Sequence, residues 1–341
     1  MWSRSTPAPA PTVNASAKLD QNPELRSRAP ALEARAELNR AIRDWFREQD
    51  FLEVETPIRL PAPALEEHID CPPCGEHDRL RASPELHMKR LLAALQKPVF
   101  QIGPCFRDGE RGPSHLPEFQ MLEWYRPQAD NQEILIDAKS LLRHCAERLG
   151  GGGRRFRGQS VDFAGQWQEL SVDQAFDRFA ETSVDQALAE DRFEQILVEQ
   201  VLPAAGGRQP LVLHGFPLAL GALARRDPAT GRAERWELFV AGLELANAYS
   251  ELTDCQEQIG RFRKAAAVRR SRGSDNYPVD LRYLEQLRRG FPPCAGIALG
   301  VDRLLMVLSG RDTIDQVVPF PPESELVAPL EQISKFVGDT K

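Results

Sequence analysis

The chain has 341 residues, of which 27% are charged, with 50 acidic and 43 basic residues and a formal net charge of −7. This balance argues against a histone-like or polybasic nucleic-acid binder, although it leaves room for a local basic patch. No stretch approaches the roughly 20 apolar residues that span a bilayer, and the amino terminus lacks the apolar run of a secretory signal. We therefore expect a cytoplasmic protein without a membrane segment.

Composition divides the chain into one folded region and two tails. Residues 1–30 are rich in Pro, Ala and Ser, and such a segment cannot offset the entropy lost on ordering, so we predict a disordered tail. One folded domain is predicted over 31–325, with a helical insertion at about 130–205. The C-terminal residues 326–341 are predicted to form a second tail.

The first half of the domain shows helix and strand signals in turn. Apolar residues from Leu38 to Phe46 recur at helical spacing, and 51–57 alternates as a strand. A second helix is predicted with Ser83 as N-cap, Pro84 as its first residue and a buried apolar face. That face comprises Met88, Leu91, Leu92 and Leu95. Two strands, at 99–106 and 119–125, flank a polar loop and predict a long hairpin.

Further strands return after a predicted helix at 131–149. They are expected at 211–214, 236–243, 245–252 and 296–299, and a helix over 302–308 follows the last of them. Antiparallel strands with helices gathered at one side predict an α+β fold.

Six cysteines in a chain of this length are too sparse for a disulfide framework. Cys71 and Cys74 have the spacing of half a zinc site, and His68 and His77 lie nearby. The alternative is an irregular loop, since no second CxxC pair exists, and the sequence leaves both readings open.

Three clusters of charged residues carry candidate chemistry. The first lies in the predicted hairpin, where Arg107 and its polar neighbours precede the aromatic Phe119. Arginine grips phosphate through two parallel hydrogen bonds and an aromatic ring stacks on a base, so this group suits a nucleotide triphosphate. A solvated hairpin tip is the alternative.

The second cluster contains Glu237, Glu244 and Glu251, with Asn247 between the last two. Spacing of seven also fits one face of a helix, but the apolar residues around Gly242 show no single face, which favours strands. A turn near 241–242 must then bring Glu237 and Glu244 to one site. Paired carboxylates beside a triphosphate are natural ligands for Mg²⁺.

The third cluster is Arg303 in the first turn of the last predicted helix. A cation there opposes the helix macrodipole unless an anion lies between, so a phosphate ligand would remove the penalty. Pairing with a local carboxylate such as Asp302 is the alternative.

Four segments together resemble the class II aminoacyl-tRNA synthetases of the lysine type. They are FLEVETPI, CFRDGERGPSHLPEFQMLEWYRP, WELFVAGLELANAYSEL and GIALGVDRLL. The resemblance covers about residues 31–320 and implies an antiparallel sheet flanked by helices, in a homodimer. It also implies that ATP and Mg²⁺ are used.

The resemblance assigns roles to individual residues. Arg107 would bind the α-phosphate and the substrate carboxylate, Phe119 would stack on adenine, and His115 and Arg303 would reach the outer phosphates. Glu237 and Glu244 would bind Mg²⁺. Further ATP contacts are expected at Asp108, Gly109, Glu110, Leu116, Glu244, Leu245 and Gly300. The amino-acid site would comprise Ser83, Pro84, Glu85, Glu123, Tyr125, Asn247, Glu251 and Ala298.

Some positions depart from the family pattern. The usual FRNE is Phe106-Arg107-Asp108-Gly109 here, so its glutamate is absent unless Glu110 takes that role. Leu116 stands where the family has asparagine, and Ala248 stands where it has glycine. These changes affect the expected adenine contacts more than the activation chemistry.

The lysine-type synthetases place an OB-fold anticodon domain before the first motif, whereas low-complexity sequence precedes it here. The chain therefore most resembles the short lysyl-tRNA synthetase paralogues, which activate (R)-β-lysine and attach it to a lysine of elongation factor P. That resemblance makes elongation factor P the expected acceptor and tRNA an unlikely one. A truncated enzyme that charges tRNA with α-lysine and a catalytically silent regulatory paralogue are the alternatives.

Overall fold

The structure is a computed structural model that describes residues 23–151, 154–207 and 209–322. Its strands are β1 (Leu52–Glu53), β2 (Arg59–Leu60), β3 (Pro73–Cys74), β4 (Asp78–Leu80), β5 (Val99–Phe106), β6 (Glu118–Pro127), β7 (Arg154–Phe156), β8 (Gln159–Val161), β9 (Gln168–Ser171), β10 (Leu211–Phe216), β11 (Ala233–Val240), β12 (Leu243–Ser250) and β13 (Cys294–Gly300). Its α-helices are α1 (Pro23–Glu48), α2 (Glu85–Leu95), α3 (Asn131–Arg148), α4 (Val172–Phe179), α5 (Val184–Ala189), α6 (Phe193–Ile196), α7 (Leu202–Ala205), α8 (Cys255–Ser271), α9 (Leu281–Arg289) and α10 (Val301–Ser309).

An eight-stranded sheet forms the centre of the fold, in the order β1-β5-β6-β13-β12-β11-β10-β9. Its edge strands pair in parallel, β1 with β5 and β9 with β10, and the other pairs are antiparallel. Helices flank this sheet, which confirms the predicted α+β class.

The two faces of the sheet have different partners because side chains alternate along a strand. On β6, Leu122 and Trp124 enter the main apolar core, to which α1, α3 and α10 also contribute. Glu123 and Tyr125 project from the opposite face. That second face carries the cavity described below.

The start of the predicted domain shifts towards the amino terminus. Helix α1 begins at Pro23, eight residues before the predicted start, and Arg28 Nη1 donates to the carbonyls of Asp315 and Val318 at 2.6 and 2.9 Å. These bonds fix the first turns of the helix to the end of the fold. The rest of the predicted N-terminal tail, 1–22, and the predicted tail 326–341 lie outside the described residues.

The predicted insertion at about 130–205 consists of two parts. Helix α3 packs on α1 and on the central strands, so it belongs to the main core. Helices α4 to α7 form a separate apolar cluster against β10 and β11. Strand β9 joins this part to the edge of the sheet.

Helix α2 buries only part of the face that the apolar pattern predicts, namely Met88 and Leu92. Leu91 is half-buried and Leu95 is 43% exposed, whereas Glu85 and Lys89 are buried together with Met88. The charged stripe faces inward because the cavity provides partners for it. The N-cap position is Pro84 rather than Ser83, although Ser83 Oγ accepts a hydrogen bond from the Glu85 N–H at 2.9 Å.

The two cysteines of the CxxC segment lie in different surroundings. Cys71 is buried and its N–H donates to the Tyr277 hydroxyl at 2.7 Å, whereas Cys74 lies in β3. Across the described residues, no group of three or more His, Cys, Asp or Glu side chains is arranged to bind a metal ion. Nor does any described helix have the length and apolar character needed to cross a membrane.

Candidate active site

A cavity of about 710 Å³ covers the second face of the sheet. Its lining includes most of the predicted site residues, namely Ser83, Glu85, Arg107, Glu110, His115, Leu116, Phe119, Glu123, Tyr125, Glu237, Glu244, Leu245, Asn247, Glu251, Ala298, Gly300 and Arg303. Three predicted residues do not line it. Pro84 caps α2, and Asp108 and Gly109 form the turn after β5.

One end of the cavity, here called the carboxylate pocket, consists of Ser83, Glu85, Lys89, Glu123, Tyr125 and Glu251. Lys89, which the sequence did not suggest as a site residue, pairs with Glu85 and lies 2.5 Å from Glu251 Oε2. Glu123 accepts hydrogen bonds from Ser83 Oγ at 2.5 Å and from the Tyr125 hydroxyl at 2.9 Å. The pocket thus contains three carboxylates and one ammonium group.

Burial governs the protonation of this pocket. Desolvation raises the pKa of Glu123 to about 7, and the charge of Glu85 adds to the effect. Desolvation likewise raises the pKa of Glu251 to about 8 against the opposing charge of Lys89. Burial alone would lower the pKa of Lys89, but the charges of Glu251 and Glu85 outweigh it and keep this pKa well above the ordinary value. A cationic ligand would favour the ionised carboxylates.

The floor of the carboxylate pocket is β13, between β6 and β12. Ala298 lies opposite Glu123 on one side and Asn247 on the other. Gly296 lies opposite Tyr125, and a Cβ atom at this position would come 2.1 Å from the Tyr125 ring. Only glycine fits there, whereas Ala298 presents a methyl group to the cavity.

The opposite end, here called the arginine end, consists of Arg107, Glu110, His115, Phe119, Glu244 and Arg303. Arg107 lies over the Phe119 ring, with Cζ 5.2 Å from the ring centroid, and Nη1 is 3.7 Å from Glu110 Oε1. Its Nε is buried and has no hydrogen-bond partner within the described residues. A donor of this kind is available to an anionic ligand.

Arg303 does not pair with Asp302, but its Nη1 lies 3.6 Å from Glu244 Oε2, so a carboxylate partner of the kind expected as the alternative is present. Asp302 instead pairs with Arg35 at 2.5 Å and accepts the Gln120 N–H at 2.7 Å. Arg303 donates to the Ser114 carbonyl at 3.1 Å and lies 2.5 Å from His115 Nε2. Burial, with the nearby charge of Arg303, lowers the pKa of His115, so the ring is neutral near pH 7.

Glu237 and Glu244 reach the same face through the predicted turn and a bulge. Ala241 and Gly242 form the turn with φ of 49° and 73°. Glu237 pairs with Asn247, but Phe239 pairs with Glu244, so the register slips by one residue at Leu245. This slip turns Glu244 to the cavity face, which three residues of regular strand before Asn247 would not do.

Arg235 is a second site residue that the sequence did not suggest. It pairs with Glu237, and its Nε donates to Asn247 Oδ1 at 3.1 Å. The guanidinium also lies over the Phe216 ring at 4.5 Å from the centroid. Desolvation raises the pKa of Glu237 to about 7 although Arg235 opposes it. The sequence did contain a signal for Arg235, because it precedes Glu237 by two residues and side chains two apart on a strand lie on the same face.

Comparison of the sequence with known proteins identifies the family of this chain. The model of the family described as "tRNA synthetases class II (D, K and N)" matches residues 18–324. The chain belongs to this family.

Its curated relatives include enzymes that carry the name elongation factor P (R)-β-lysine ligase. The relative from Pasteurella multocida is 37% identical over 306 residues, which are 85% of this chain and 94% of the relative. Those from Hamiltonella defensa and Vibrio cholerae are each 36% identical and cover the same 85% and 94%. The chain is thus a class II synthetase-like ligase, and such a ligase uses ATP.

Proposed function

We propose that this class II synthetase-like ligase activates (R)-β-lysine as an adenylate and transfers it to the ε-amino group of a lysine on elongation factor P. The observation that carries the proposal is the carboxylate pocket. Glu85, Glu123 and Glu251 carry three negative charges and Lys89 carries one positive charge, so the ionised pocket has a net charge of −2. A diamino acid with two ammonium groups matches that charge.

The arginine end supports an attack of the substrate carboxylate on the α-phosphorus of ATP. Arg107 has a donor that is free within the described residues, and it lies over the Phe119 ring in the cavity that also contains the carboxylate pocket, so both the substrate carboxylate and the α-phosphate would bind it. Arg303 and neutral His115 lie further along the same end, beside Glu244. Positioning and charge neutralisation supply the catalysis, and no protein nucleophile is required.

The residues present also fit Mg²⁺. Glu237 and Glu244 are carboxylates on one hairpin and line the same cavity, and carboxylate oxygens with phosphate oxygens are the ligands that Mg²⁺ prefers. When bound, the ion would neutralise charge on the outer phosphates.

We also propose that the protein forms a homodimer and acts in the cytoplasm. In this proposal tRNA is a poor acceptor.

Pyrophosphate exchange into ATP tests the activation step. Purified protein should exchange pyrophosphate only with Mg²⁺ and a lysine isomer present, and most efficiently with (R)-β-lysine. Exchange that α-lysine supports better than the β isomer would instead favour a truncated lysyl-tRNA synthetase. Absence of exchange with every isomer would favour a silent paralogue.

A further inference from the structure

The 64–71 loop contributes a carboxylate that the proposed activation step does not use. Glu66 of this loop lines the cavity and is half-buried. Its carboxylate forms no ion pair or side-chain hydrogen bond with any described residue. The charged groups that most affect its pKa are Glu85, Arg107 and Arg235. Glu66 therefore lines the same cavity as the carboxylate pocket and the arginine end.

A buried arginine fixes the loop that carries Glu66. Arg269 of α8 is 0% exposed and donates to the carbonyls of Glu66 and Ile69 at 3.0 and 2.7 Å, while its Nη2 contacts Asp70 Oδ1 at 2.5 Å. The Asp70 carbonyl in turn accepts the N–H of Asp108, next to Arg107, at 2.7 Å. Glu66 is thus held in a set position relative to Arg107.

The charges of the amino-acid substrate leave Glu66 without a partner. Two substrate ammonium groups balance the net charge of −2 in the carboxylate pocket, and the substrate carboxylate balances Arg107. Arg235 is paired with Glu237. Apart from Mg²⁺, which Glu237 and Glu244 would hold, one further cation enters this cavity during the proposed reaction, the ε-ammonium of the acceptor lysine.

We infer that Glu66 binds the ε-ammonium of the acceptor lysine beside the adenylate carbonyl and accepts one of its protons. This inference rests on the proposed function. The freed lone pair attacks the carbonyl carbon, the new C–N bond forms, and the C–O bond to AMP breaks. The second amine proton leaves to the phosphate group of the released AMP. Burial, together with the charge of Glu85, raises the pKa of Glu66, which strengthens it as a base.

The test separates the two half-reactions in the full-length protein. Glu66→Gln keeps the size of the side chain and removes the base. Glu67→Gln is the matched control, because Glu67 belongs to the same loop but pairs with Lys264 at 3.2 Å. Pyrophosphate exchange with (R)-β-lysine measures activation, and single-turnover transfer from preformed adenylate to elongation factor P measures the second step.

Exchange should stay within about twofold of wild type in both variants. Transfer should fall roughly 10²–10⁴-fold in Glu66→Gln, the usual contribution of a general base, and not in Glu67→Gln. The transfer rate of Glu66→Gln should also rise about tenfold per pH unit between pH 7 and 9, because only amine already deprotonated in solution can react.

Three results would overturn the inference alone. They are unchanged transfer in Glu66→Gln, an equal loss in Glu67→Gln, and a raised KM for (R)-β-lysine in exchange, which would assign Glu66 to the amino acid instead. A wild-type protein without any exchange would overturn the proposed function and this inference with it.

Discussion

The two ends of the cavity are built differently. In the carboxylate pocket, the buried groups lie on α2, on β6 and directly after β12, and Lys89 is an internal cation between Glu85 and Glu251. At the arginine end, Glu244 is 42% exposed and Arg107 retains a donor with no partner within the described residues. One end is partly compensated by an internal cation, and the other keeps a donor that a ligand can bind.

This difference separates specificity from catalysis in the molecule. A buried pocket can discriminate among amines. A charged group that finds no partner there loses its hydration without a compensating contact, which raises the free energy of binding. An open end with available hydrogen-bond donors can stabilise the negative charge that develops on the phosphate groups in the transition state. Substitutions in the carboxylate pocket should therefore alter stability and substrate choice, and substitutions at the arginine end should alter turnover.

The largest effect is expected from Lys89→Met. Removing one partner of a buried ion pair leaves uncompensated carboxylates and should lower the free energy of unfolding by about 3–5 kcal/mol. The loss should be greatest near pH 8.5 and smaller near pH 6, where the carboxyl groups take up protons. Urea unfolding at both pH values measures it. The control Lys139→Met breaks a more exposed pair with Glu169 and should cost about 0–1 kcal/mol.

Arg107→Ala should leave stability almost unchanged but remove transition-state stabilisation. Loss of one such charge-assisted donor commonly costs about 2.7–4 kcal/mol, or roughly a hundredfold to a thousandfold in the exchange rate. Arg303→Ala should act in the same direction. The exposed Arg288→Ala serves as control. Normal exchange in both Arg107→Ala and Arg303→Ala would remove these residues from the catalytic site.

The sequence predicted the fold more completely than the site. Hairpin turns and the family motifs are local signals, so the main strands and the predicted residues that line the cavity followed from them. Lys89 was missed because the apolar residues of α2 suggested a different buried face, although the spacing of Glu85 and Lys89 was visible. The bulge at Leu245 depends on cross-strand pairing, which no local pattern encodes.

Ala298→Gly tests substrate choice on the floor of the carboxylate pocket. Ala298 lies between Glu123 and Asn247 in the sheet and lines the cavity. We expect an α-amino group to project towards its methyl group and a β-amino group to avoid it. A methyl-sized change is worth about 1–3 kcal/mol, so kcat/KM for α-lysine should rise relative to (R)-β-lysine. Ser83→Ala should act in the same direction through the lost hydroxyl.

Ala248→Gly is the control for added backbone freedom, because Ala248 lies on the same strand layer but faces the apolar core. It should affect both isomers alike. If the ratio of kcat/KM for α-lysine to kcat/KM for (R)-β-lysine is unchanged in Ala298→Gly, the methyl group contributes to packing and not to substrate choice.

The smallest effect concerns pH. Because burial raises the pKa of Glu123 to about 7 and of Glu251 to about 8, both must lose protons to bind a cation. The KM for (R)-β-lysine should therefore fall at least tenfold from pH 6 to pH 8, the change of about 1.4 kcal/mol that the ionisation of Glu123 alone would give. The free energy of unfolding of the free protein should fall over the same pH range. A carboxyl group whose pKa is raised in the folded state stabilises folding most at a pH below its pKa in the unfolded chain, and this contribution is lost as the pH rises towards 8.

Exchange assays and thermal unfolding over this pH range check both trends. The ATP KM should not follow the same profile, since Glu123 and Glu251 belong to the other end of the cavity. A flat KM profile for (R)-β-lysine would mean that the two carboxylates do not bind the substrate amines.

Mass spectrometry of the acceptor tests the central claim most directly. The protein is incubated with ATP, Mg²⁺ and (R)-β-lysine, together with equal amounts of elongation factor P and lysine tRNA at physiological salt. The account predicts one β-lysyl group on a lysine of elongation factor P and little charged tRNA. Efficient charging of the tRNA with no modification of elongation factor P would contradict it.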